Sequence, residues 1–446
     1  MGREQQIIDE RIKKIEGLRK EGVNPYPYVF DKKFQINDCL KLKLGKKVKT
    51  AGRLMTKRDL GKIVFCALQD GSGKIQIVLQ KGKTPEKEII FFKKYIDSGD
   101  FVGVEGKIFK TKTKEISILV ERVKILSKAI LPLPSKWHGL QDKEERYRKR
   151  YLDLIMNTEI KEIFKKRHKI IQAIRDFLTK KEYLEVDTPI LQSIPGGALA
   201  KPFITKYNAY DTDVYLRIAP ELYLKRLLVG GFEKVFEFSK CFRNEGVDWN
   251  HNPEFINLEF YEAYADYNEM MELVEELIIE TTKKVNGKAE IIRNGEKIVI
   301  KKPFKKLTFK EVSKGKMSDE EFKEGIKKLK NPTFVINHPL DISPLAKKND
   351  EKTVQRFQLI IDGIEVVNAF SELNDPLDQE ERFKEQSKKK VEEKHEFDAE
   401  FVEALKYGMP PAGGVGIGID RLTMLLTNQP SIRDVVLFPF MKPEEK

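Results

Sequence analysis

The segment that most constrains the fold of this chain is FEFSKCFRNEGVDWNHNPEFINLEFYEAYADY, residues 236–267. Its two ends alternate aromatic or apolar residues with polar ones, which is typical of β-strands, and GVDWNHN between them is rich in turn-forming residues. The pattern predicts a long antiparallel hairpin. Because side chains alternate between the two faces of a strand, Arg243 and Glu245 are expected on one face of the first strand. The same alternation places Glu259 and Tyr261 together on the second strand.

The composition is that of a globular protein with two or three domains. A length of 446 residues with 40% hydrophobic residues is enough to bury ordinary cores. Lysine and arginine (83) exceed aspartate and glutamate (70), which gives a formal net charge of +13. Such a charge favours a polyanionic partner, with nucleic acid the first candidate. A lysine-rich proteome would explain the charge equally well, so charge alone does not decide between the two.

The cysteines and the N-terminal residues indicate a cytoplasmic protein. The three cysteines, Cys39, Cys66 and Cys241, lie far apart without CxxC spacing, which suggests neither a zinc site nor a disulfide framework. The start MGREQQ lacks the serine or threonine of a myristoylation signal. A secretory apolar core and a run of 18 apolar residues are both missing from the sequence. We therefore expect no membrane attachment.

The N-terminal part of the chain is predicted to be a helix followed by a small β-barrel. Within residues 1–30, apolar residues recur at helical spacing, which predicts an amphipathic helix. Residues 31–126 contain five short alternating segments between positions 47 and 124, separated by Gly and Ser turns. This number of strands in so short a stretch suggests a Greek-key barrel of the oligonucleotide-binding type.

Residues 127–150, which include LPLPSKWHG, are interpreted as a linker, and residues 151–446 as the second domain. The second domain is expected to begin with an amphipathic helix over Ile160 to Lys180, followed by an extended edge, KKEYLEVDTPIL. Residues 289–331 are expected to be a peripheral insertion. This segment starts with a hairpin around Asn294-Gly295, a type I′ turn signal.

A glycine-rich segment, GGVGIGIDRLTMLLTN, predicts a strand that leads into a helix near the C-terminus. It is not a phosphate-binding P-loop, because no GKS or GKT follows. Its glycines would let a ligand approach the backbone closely. Asp420 and Arg421 would then begin the helix beside that ligand.

These segments together resemble the three signature motifs of the class II aminoacyl-tRNA synthetases. The helix and edge after Ile160 resemble motif 1, residues 236–267 resemble motif 2, and the glycine-rich segment resembles motif 3. HNPEF and LEFYEAYADY are similar to the lysyl branch, and the similarity extends from GVNPYP to FPFMKP. The resemblance implies an α+β protein with an OB-fold anticodon-binding barrel and a catalytic antiparallel sheet flanked by helices. It also implies a homodimer formed through motif 1.

The resemblance implies ATP-dependent attachment of lysine to tRNA(Lys) through a lysyl-adenylate, with release of AMP and pyrophosphate. Arg243 would bind the α-phosphate and the lysine carboxylate, and Arg421 would lie near the γ-phosphate; both are expected to be catalytic. Glu245 would accept from the adenine amino group and Phe255 would stack on adenine. The expected ATP-binding residues are Arg243, Glu245, His251, Asn252, Phe255, Glu365 and Arg421. Without the partner motifs, a surface ion pair between Arg243 and Glu245 would be the simpler interpretation.

Lysine specificity requires carboxylates, because an ammonium taken out of water must meet an opposite charge. By resemblance, Glu259 and Glu372 would bind the ε-ammonium, Tyr261 would be a neighbouring hydrogen-bond partner, and Glu221 would hold the α-amino group. The expected lysine-binding residues are Gly197, Glu221, Glu259, Tyr261, Asn368, Phe370 and Glu372.

Magnesium is the expected cofactor, since hard oxygen ligands and Mg²⁺ share the charge of ATP phosphates. Relatives usually carry two glutamates seven residues apart before the NxFSELND segment. This chain has Glu365 at the second position but Gln358 at the first. We therefore expect Glu365 to hold the ATP-bridging ion and the site near Gln358 to be weakened.

In the barrel, Phe65 and Gln76 match the positions that stack on and hydrogen-bond the central anticodon base, and Arg53 lies on a neighbouring strand. A core position for Phe65 is the alternative.

Three other functions are alternatives to the attachment of lysine to tRNA. An aspartyl or asparaginyl synthetase would need an arginine where this chain offers Glu259 and Glu372. A paralogue that modifies an elongation factor would lack the barrel. A non-catalytic nucleic-acid-binding protein would be expected to lose Arg243, Glu245 or Arg421, all of which are present.

Overall fold

The computed structural model describes residues 2–134, 140, 142–198, 200–316, 318–388 and 397–444. The chain divides into two compact units, one up to residue 139 and one from residue 140 onward. The expected linker is only partly described, since residues 135–139 and 141 lie outside these ranges. Among the helices of the described residues, none has the length and apolar character needed to cross a membrane.

The first unit is a closed five-stranded barrel with three helices, as the spacing of short alternating segments predicts. The strand order is β1-β2-β3-β5-β4, which is consistent with an OB-fold. The sequence interpretation missed α3, whose Phe92 and Tyr95 are buried. The elements are α1 (Arg3–Lys20), α2 (Ile36–Cys39), β1 (Lys47–Asp59), β2 (Ile63–Gln69), β3 (Lys74–Gln80), α3 (Glu86–Tyr95), β4 (Phe101–Lys110) and β5 (Ile116–Ser127).

Helix α1 packs on the barrel. Ile15 and Leu18 are buried, and a Cβ at Gly17 would lie 3.1 Å from the ring of Tyr95, so α1 and α3 approach closely. Arg11 is also buried, and its guanidinium donates to the carbonyl oxygens of three residues of the same unit, Ser98, Ala129 and Leu131. The amphipathic pattern of α1 is therefore accounted for by packing.

The second unit is built on an eight-stranded sheet in the order β14-β15-β16-β17-β18-β11-β10-β6. Its inner pairs are antiparallel, and the two outermost pairs are parallel. The elements are α4 (Lys143–Arg148), α5 (Arg150–Met156), α6 (Ile160–Lys180), β6 (Leu184–Glu185), β7 (Leu191–Gln192), β8 (Ile204–Tyr207), β9 (Thr212–Leu216), α7 (Glu221–Val229), β10 (Lys234–Phe242), β11 (Glu254–Ala263), α8 (Tyr267–Asn286), β12 (Glu290–Arg293), β13 (Glu296–Val299), β14 (Lys305–Thr308), α9 (Phe309–Val312), α10 (Asp319–Ile326), β15 (Thr333–Pro339), a 3-10 turn (Leu340–Ile342), β16 (Thr353–Ile361), β17 (Ile364–Ser371), α11 (Pro376–Lys388), α12 (Ala399–Lys406), β18 (Ala412–Gly418), α13 (Ile419–Thr427) and α14 (Ile432–Val435).

One face of this sheet forms the main core with α6, α8 and α13. The core-facing residues of the central strands include Leu258 and Phe260 of β11 and Val415 and Ile417 of β18. Since side chains alternate along a strand, the intervening residues face the opposite side of the sheet. Burial of each core side chain of this size contributes about 1.5–3 kcal/mol, so the sheet is held firmly from one side.

The hairpin of β10 and β11 is antiparallel, as predicted, with Glu237 opposite Glu259. The expectation that Arg243 and Glu245 lie on the first strand is wrong, because β10 ends at Phe242. The backbone N–H of Arg243 still donates to Pro253 at 2.9 Å, which closes the base of the loop. Arg243 therefore leaves the sheet at the start of the loop.

Residues 289–331 are less peripheral than expected. The predicted turn is present, with φ of 50° at Asn294 and 83° at Gly295, the combination that a type I′ turn requires. Ile298 and Phe304 of this segment, however, belong to the main core. In addition, β14 pairs with β15 and extends the central sheet. The sequence did not predict these core positions, because the apolar residues lie among many lysines, which are typical of a solvated surface.

Candidate active site

A cavity of about 410 Å³ lies over the centre of the sheet in the second unit. It is bounded by the loop between β10 and β11, the start of α7, strands β11, β16, β17 and β18, and the start of α13. Every residue that the sequence assigned to ATP, lysine or metal lies in its wall: Gly197, Glu221, Arg243, Glu245, His251, Asn252, Phe255, Glu259, Tyr261, Gln358, Glu365, Asn368, Phe370, Glu372 and Arg421.

Glycines of β18 make room for the acidic end of the cavity. Gly414 lies between Tyr261 of β11 and Phe370 of β17 in the sheet register. A Cβ at Gly414 would lie 2.0 Å from Oε1 of Glu372 and 2.5 Å from the ring of Tyr261. A side chain there would displace both groups. At Gly416, by contrast, the nearest atom to a Cβ would be 3.5 Å away.

Three glutamates converge at this end: Glu221 from α7, Glu259 from β11 and Glu372 from the end of β17. All three are buried, with 7%, 5% and 1% of their surface exposed. Glu259 accepts from the hydroxyl of Tyr261 at 2.9 Å and from the amide of Asn257 at 2.9 Å. This convergence of carboxylates suits a ligand that carries positive charge.

A fully buried lysine, Lys225, lies behind these carboxylates and does not line the cavity. Its Nζ donates to Oε1 of Glu221 at 2.7 Å and contacts Oε2 of Glu372. The same ammonium lies 5.3 Å from the ring centroid of Phe370. Sequence analysis missed this residue, although its position four residues after Glu221 on a helix was a usable signal.

Burial and repulsion between carboxylates raise the pKa values of two of these acids, Glu259 and Glu372. Burial, together with repulsion from Glu221, raises the pKa of Glu259 to about 8. Burial also raises the pKa of Glu372, and Lys225 opposes that shift. For Lys225, burial disfavours the charged form, but attraction to Glu221 and Glu372 outweighs it and raises the lysine pKa. Glu259 and Glu372 are therefore harder to ionise than exposed carboxyl groups, and Lys225 remains charged more readily.

Gly197 and Glu221 are in close contact at the entrance to the acidic end. Gly197 has φ of +86°, a conformation that favours glycine, and a Cβ there would lie 3.1 Å from Cβ of Glu221. Glycine therefore allows the loop to cover Glu221 closely.

The opposite end of the cavity carries arginines. The guanidinium of Arg243 lies 5.0 Å from the ring centroid of Phe255, a cation–π contact. Its buried Nε has no hydrogen-bond partner among the described residues. The described residues also show no ion pair between Arg243 and Glu245, whose side chain is exposed. The simple surface ion pair is therefore not the arrangement here, and both side chains face the cavity.

The loop between β10 and β11 is joined to α13 through His251. Its Nδ1 lies 2.9 Å from Oδ2 of Asp248 and its Nε2 lies 3.2 Å from Nη2 of Arg421. Because a carboxylate only accepts and a guanidinium only donates, Nδ1 carries the proton and Nε2 accepts. Asn252 is also in this loop, with its Nδ2 donating to the carbonyl of Glu254 at 2.5 Å.

Glu365 and Gln358 supply oxygen atoms in the cavity wall. Gln358 is buried, and its Oε1 has no hydrogen-bond partner among the described residues. In the described ranges, no group of three or more His, Cys, Asp or Glu residues is arranged to hold a metal ion. Mg²⁺ commonly uses only one or two protein oxygens together with phosphates and water, so this pair fits an ATP-bound ion.

Arg356 is a further cavity residue that the sequence interpretation did not identify. Its Nε donates to Oδ1 of Asn368 at 2.8 Å and its Nη1 donates to Oγ of Ser343 at 2.9 Å. Arg356 therefore orients the side-chain amide of Asn368 by binding its oxygen. The N–H donors of that amide point away from Arg356. A lone arginine in a strand carries no distinctive sequence signal.

In the barrel unit, Phe65 is half-buried and faces outward, between the buried residues Val64 and Cys66. The alternative that Phe65 is a core residue is therefore wrong. Gln76, diagonal to it on β3, donates to Glu115 at 3.0 Å and accepts from Ser117 at 3.1 Å. Arg53 is engaged elsewhere: it donates to the Gly99 carbonyl at 2.9 Å and lies 4.2 Å from the ring centroid of Phe101.

Comparison with known proteins matches both units. A family model described as tRNA synthetases class II (D, K and N) matches residues 142–442, and one described as an OB-fold nucleic acid binding domain matches residues 48–126. A lysine–tRNA ligase of Thermotoga maritima is 45% identical over 98% of this chain and 96% of its own length. The corresponding ligase of Pelotomaculum thermopropionicum is 46% identical over 100% and 97%. That of Thermoanaerobacter sp. is 48% identical over 98% and 96%.

Proposed function

The chain belongs to the class II tRNA synthetases of the aspartate, lysine and asparagine group, and from this premise we propose that it attaches lysine to tRNA(Lys). The observation that carries the proposal is the cavity with buried carboxylates at one end and arginines at the other. Lysine bears two ammonium groups and one carboxylate. Its ammonium groups suit the glutamates, and its carboxylate suits Arg243 beside the phosphates of ATP.

In the first step the lysine carboxylate attacks the α-phosphorus of ATP, forming lysyl-adenylate and releasing pyrophosphate. The protein supplies no nucleophile. It holds the two substrates in line and neutralises the charge that develops. Arg243 would bind the α-phosphate and the lysine carboxylate with its planar fork, for which a free, cavity-facing guanidinium is suited. In the second step the tRNA 3′ hydroxyl displaces AMP.

The remaining ATP contacts are proposed from the family resemblance, and the position of these residues in the cavity wall supports them. Glu245 would accept from the adenine amino group, and Phe255 would stack on adenine with the face that Arg243 does not cover. Arg421 and His251 would reach the terminal phosphates together, and Asn252 would use its second amide N–H. Mg²⁺, when bound, would share the charge of the phosphates. Glu365 and Gln358 are the residues that would hold it.

On the lysine side, Glu259 and Glu372 would bind the ε-ammonium and Glu221 the α-amino group. Asn368, Phe370 and Gly197 would complete the walls. An aspartate or asparagine substrate is disfavoured, because its acidic or neutral side chain would meet buried carboxylates without a cation of its own.

The barrel would bind the anticodon, with an outward-facing Phe65 as the stacking platform and Gln76 as the hydrogen-bonding partner. Arg53 would contribute positive charge from an adjacent strand. The net charge of +13 supports binding of a polyanion.

A homodimer is also proposed, since the small sheet of β7, β8 and β9 and the edge strand β6 carry exposed apolar side chains. These are Leu184, Ile190, Leu191, Ile204, Tyr207 and Tyr210. An exposed apolar group of this kind is typical of a protein interface. Analytical ultracentrifugation tests it. A cytoplasmic location is proposed with the translation function, and the three free, buried cysteines agree with it.

The decisive experiment is ATP–pyrophosphate exchange across the standard amino acids, followed by charging of unfractionated tRNA. Lysine is expected to stimulate exchange above every other amino acid, and tRNA(Lys) to be the species charged. If lysine stimulates exchange no more than the others, the proposed function is wrong.

A further inference from the structure

We infer that Lys225 is a positioning residue that sets the charge of the acidic pocket to match the two ammonium groups of lysine. The inference rests on the proposed function, because it takes lysine as the ligand of Glu221, Glu259 and Glu372. It assigns no substrate contact to Lys225. The ammonium of Lys225 acts from behind the carboxylates, as an internal counter-ion.

The placement of Lys225 is specific. Its side chain has 0% exposure, and its ammonium joins carboxylates from two separate elements, α7 and the end of β17. Glu221 lies one helical turn before it, so the same helix supplies both members of one ion pair. The ring of Phe370, 5.3 Å away, covers the ammonium from the side of the sheet. The Lys225 ammonium therefore acts on both carboxylates through direct contact.

A count of charges explains why a cation is needed there. In the lysine-bound pocket, with all three glutamates ionised, the carboxylates carry a charge of −3, whereas lysine offers them two ammonium groups. Lys225, in direct contact with two of the carboxylates, reduces that charge to −2, which the two ammonium groups neutralise. Buried carboxylates without a partner take up protons instead of remaining ionised. Without Lys225, binding of lysine would therefore have to expel more protons.

The titratable groups around Lys225 are Glu221 on its own helix, Glu372 just after β17, and Glu259 with Tyr261 on β11. Arg356 of β16 is a further cation in the cavity wall and attracts Glu221 without an ion-pair contact among the described residues. Burial, with repulsion from these glutamates, raises the pKa of Tyr261, so its hydroxyl stays protonated and donates to Glu259. Lys225 is the single basic side chain that contacts these acids among the described residues. Loss of the Lys225 ammonium would leave Glu372 without an ion-pair partner among the described residues.

A purely structural role is the competing explanation, and proton linkage separates the two. Calorimetric titration of the full-length protein with lysine, in two buffers of different ionisation enthalpy, measures both affinity and the protons released. The variants are Lys225→Met, Lys225→Arg and a control, Lys234→Met. Lys234 lies on β10 and forms an ion pair with Glu262 of β11 at 2.8 Å. Neither residue lines the cavity.

Lys225→Met is expected to weaken lysine binding about tenfold or more while ATP affinity stays within about twofold, because only the acidic end is altered. Proton release per lysine bound should increase, and Lys225→Arg should restore part of the affinity and the original proton count. Lys234→Met should match the wild type.

The inference is overturned if Lys225→Met matches Lys234→Met in affinity and proton count, or if lysine and ATP affinities fall together with the melting temperature. If Lys225→Met does not fold, the double variant Lys225→Met/Glu372→Gln is tested: recovery of folding supports the counter-ion role, and failure to recover contradicts it. Failure of the wild type to bind lysine at all would instead refute the proposed function.

Discussion

Nε2 of His251 accepts a hydrogen bond from Nη2 of Arg421 at 3.2 Å, and the other ring nitrogen of His251 donates to Asp248 at 2.9 Å. Two segments about 170 positions apart thereby meet over the cavity, one in the loop after β10 and one at the start of α13. The contact orients the Arg421 guanidinium together with a second hydrogen bond, which Nη1 of Arg421 donates to the Glu365 carbonyl at 3.3 Å. It also holds the loop that carries Asn252 and leads into Phe255 near the start of β11.

Replacement of His251 by alanine is therefore expected to weaken ATP binding about fivefold, from loss of roughly 1 kcal/mol of hydrogen bonding. Lysine affinity should be unchanged, because His251 lies away from the glutamates. The measurement is KM for ATP in lysine-dependent exchange. His168→Ala on the exposed side of α6 is the control, and an equal effect of both variants would contradict this role.

Lysine affinity should depend on pH through Glu259. The pKa of this carboxyl is raised to about 8 by burial and by repulsion from Glu221, so it is largely protonated at neutral pH in the free protein. An ammonium favours the ionised form, so binding lowers that pKa and releases a proton. Affinity should rise with pH, by at most about tenfold per unit, and level off above the pKa of the free protein. Calorimetric dissociation constants between about pH 6 and about pH 9 measure both the rise and the plateau.

In Glu259→Gln the group that titrates is removed. Lysine binding should be weaker at every pH, and its rise with pH should be smaller than in the wild type. A slope unchanged from the wild type would assign the proton to another group, for which Glu372 is the candidate, because burial and repulsion from Glu259 also raise its pKa.

Gly414→Ala is expected to reduce lysine affinity about tenfold or more, since the new methyl group would meet Glu372 at 2.0 Å and force a costly rearrangement. Gly416→Ala is the matched control on the same face of the same strand, with 3.5 Å to the nearest atom. It should retain lysine binding. Isothermal titration with lysine alone compares them, and similar losses in both variants would show that backbone flexibility, and not space, is what matters.

Gln358→Glu should lower the Mg²⁺ concentration needed for tight ATP binding, because a carboxylate is a stronger ligand for a dication than an amide. ATP affinity measured against Mg²⁺ concentration, with Mn²⁺ bound per chain counted by electron paramagnetic resonance, tests this without turnover. Gln355→Glu, on the same strand but outside the cavity wall, controls for added charge. Identical magnesium dependence of the wild type and Gln358→Glu would refute the weakened site.

Phe65→Ala should lower charging of tRNA while leaving ATP–pyrophosphate exchange intact. Stacking of a base on an aromatic ring contributes about 1–3 kcal/mol, so the loss in kcat/KM for tRNA should be about fivefold to a hundredfold. Tyr28→Ala is the control, since Tyr28 is fully exposed in the same unit but lies outside the strands. Equal losses in exchange and charging would indicate damage to the fold.

Local patterns were sufficient for much of this molecule. The hairpin of residues 236–267, the helix over Ile160–Lys180 and the turn at Asn294-Gly295 depend on contacts between neighbours in the chain, and the sequence predicts them directly. The motif resemblance then brought the cavity residues together from distant segments. The resemblance could do this because each motif corresponds to a particular strand or helix around the same sheet.

What the sequence did not predict depends on long-range packing. Arg243 and Glu245 lie outside the strand because β10 ends at Phe242, three residues before Glu245. The pairing of β14 with β15 requires apolar contacts that the surrounding lysines conceal. Lys225 is a further case: a lysine in an amphipathic helix is normally solvated, and only the convergence of Glu221 and Glu372 explains its burial.

The position of β18 has a consequence for how the protein is made. This strand, residues 412–418, is the last in the described sequence, yet it lies between β11 and β17 near the middle of the sheet. Until it emerges from the ribosome, β11 and β17 have open edges and the acidic pocket lacks the strand that seats Glu372 and Tyr261. Synthesis through residue 418 must therefore precede assembly of the pocket, and until then the free edges of β11 and β17 are open to wrong pairing.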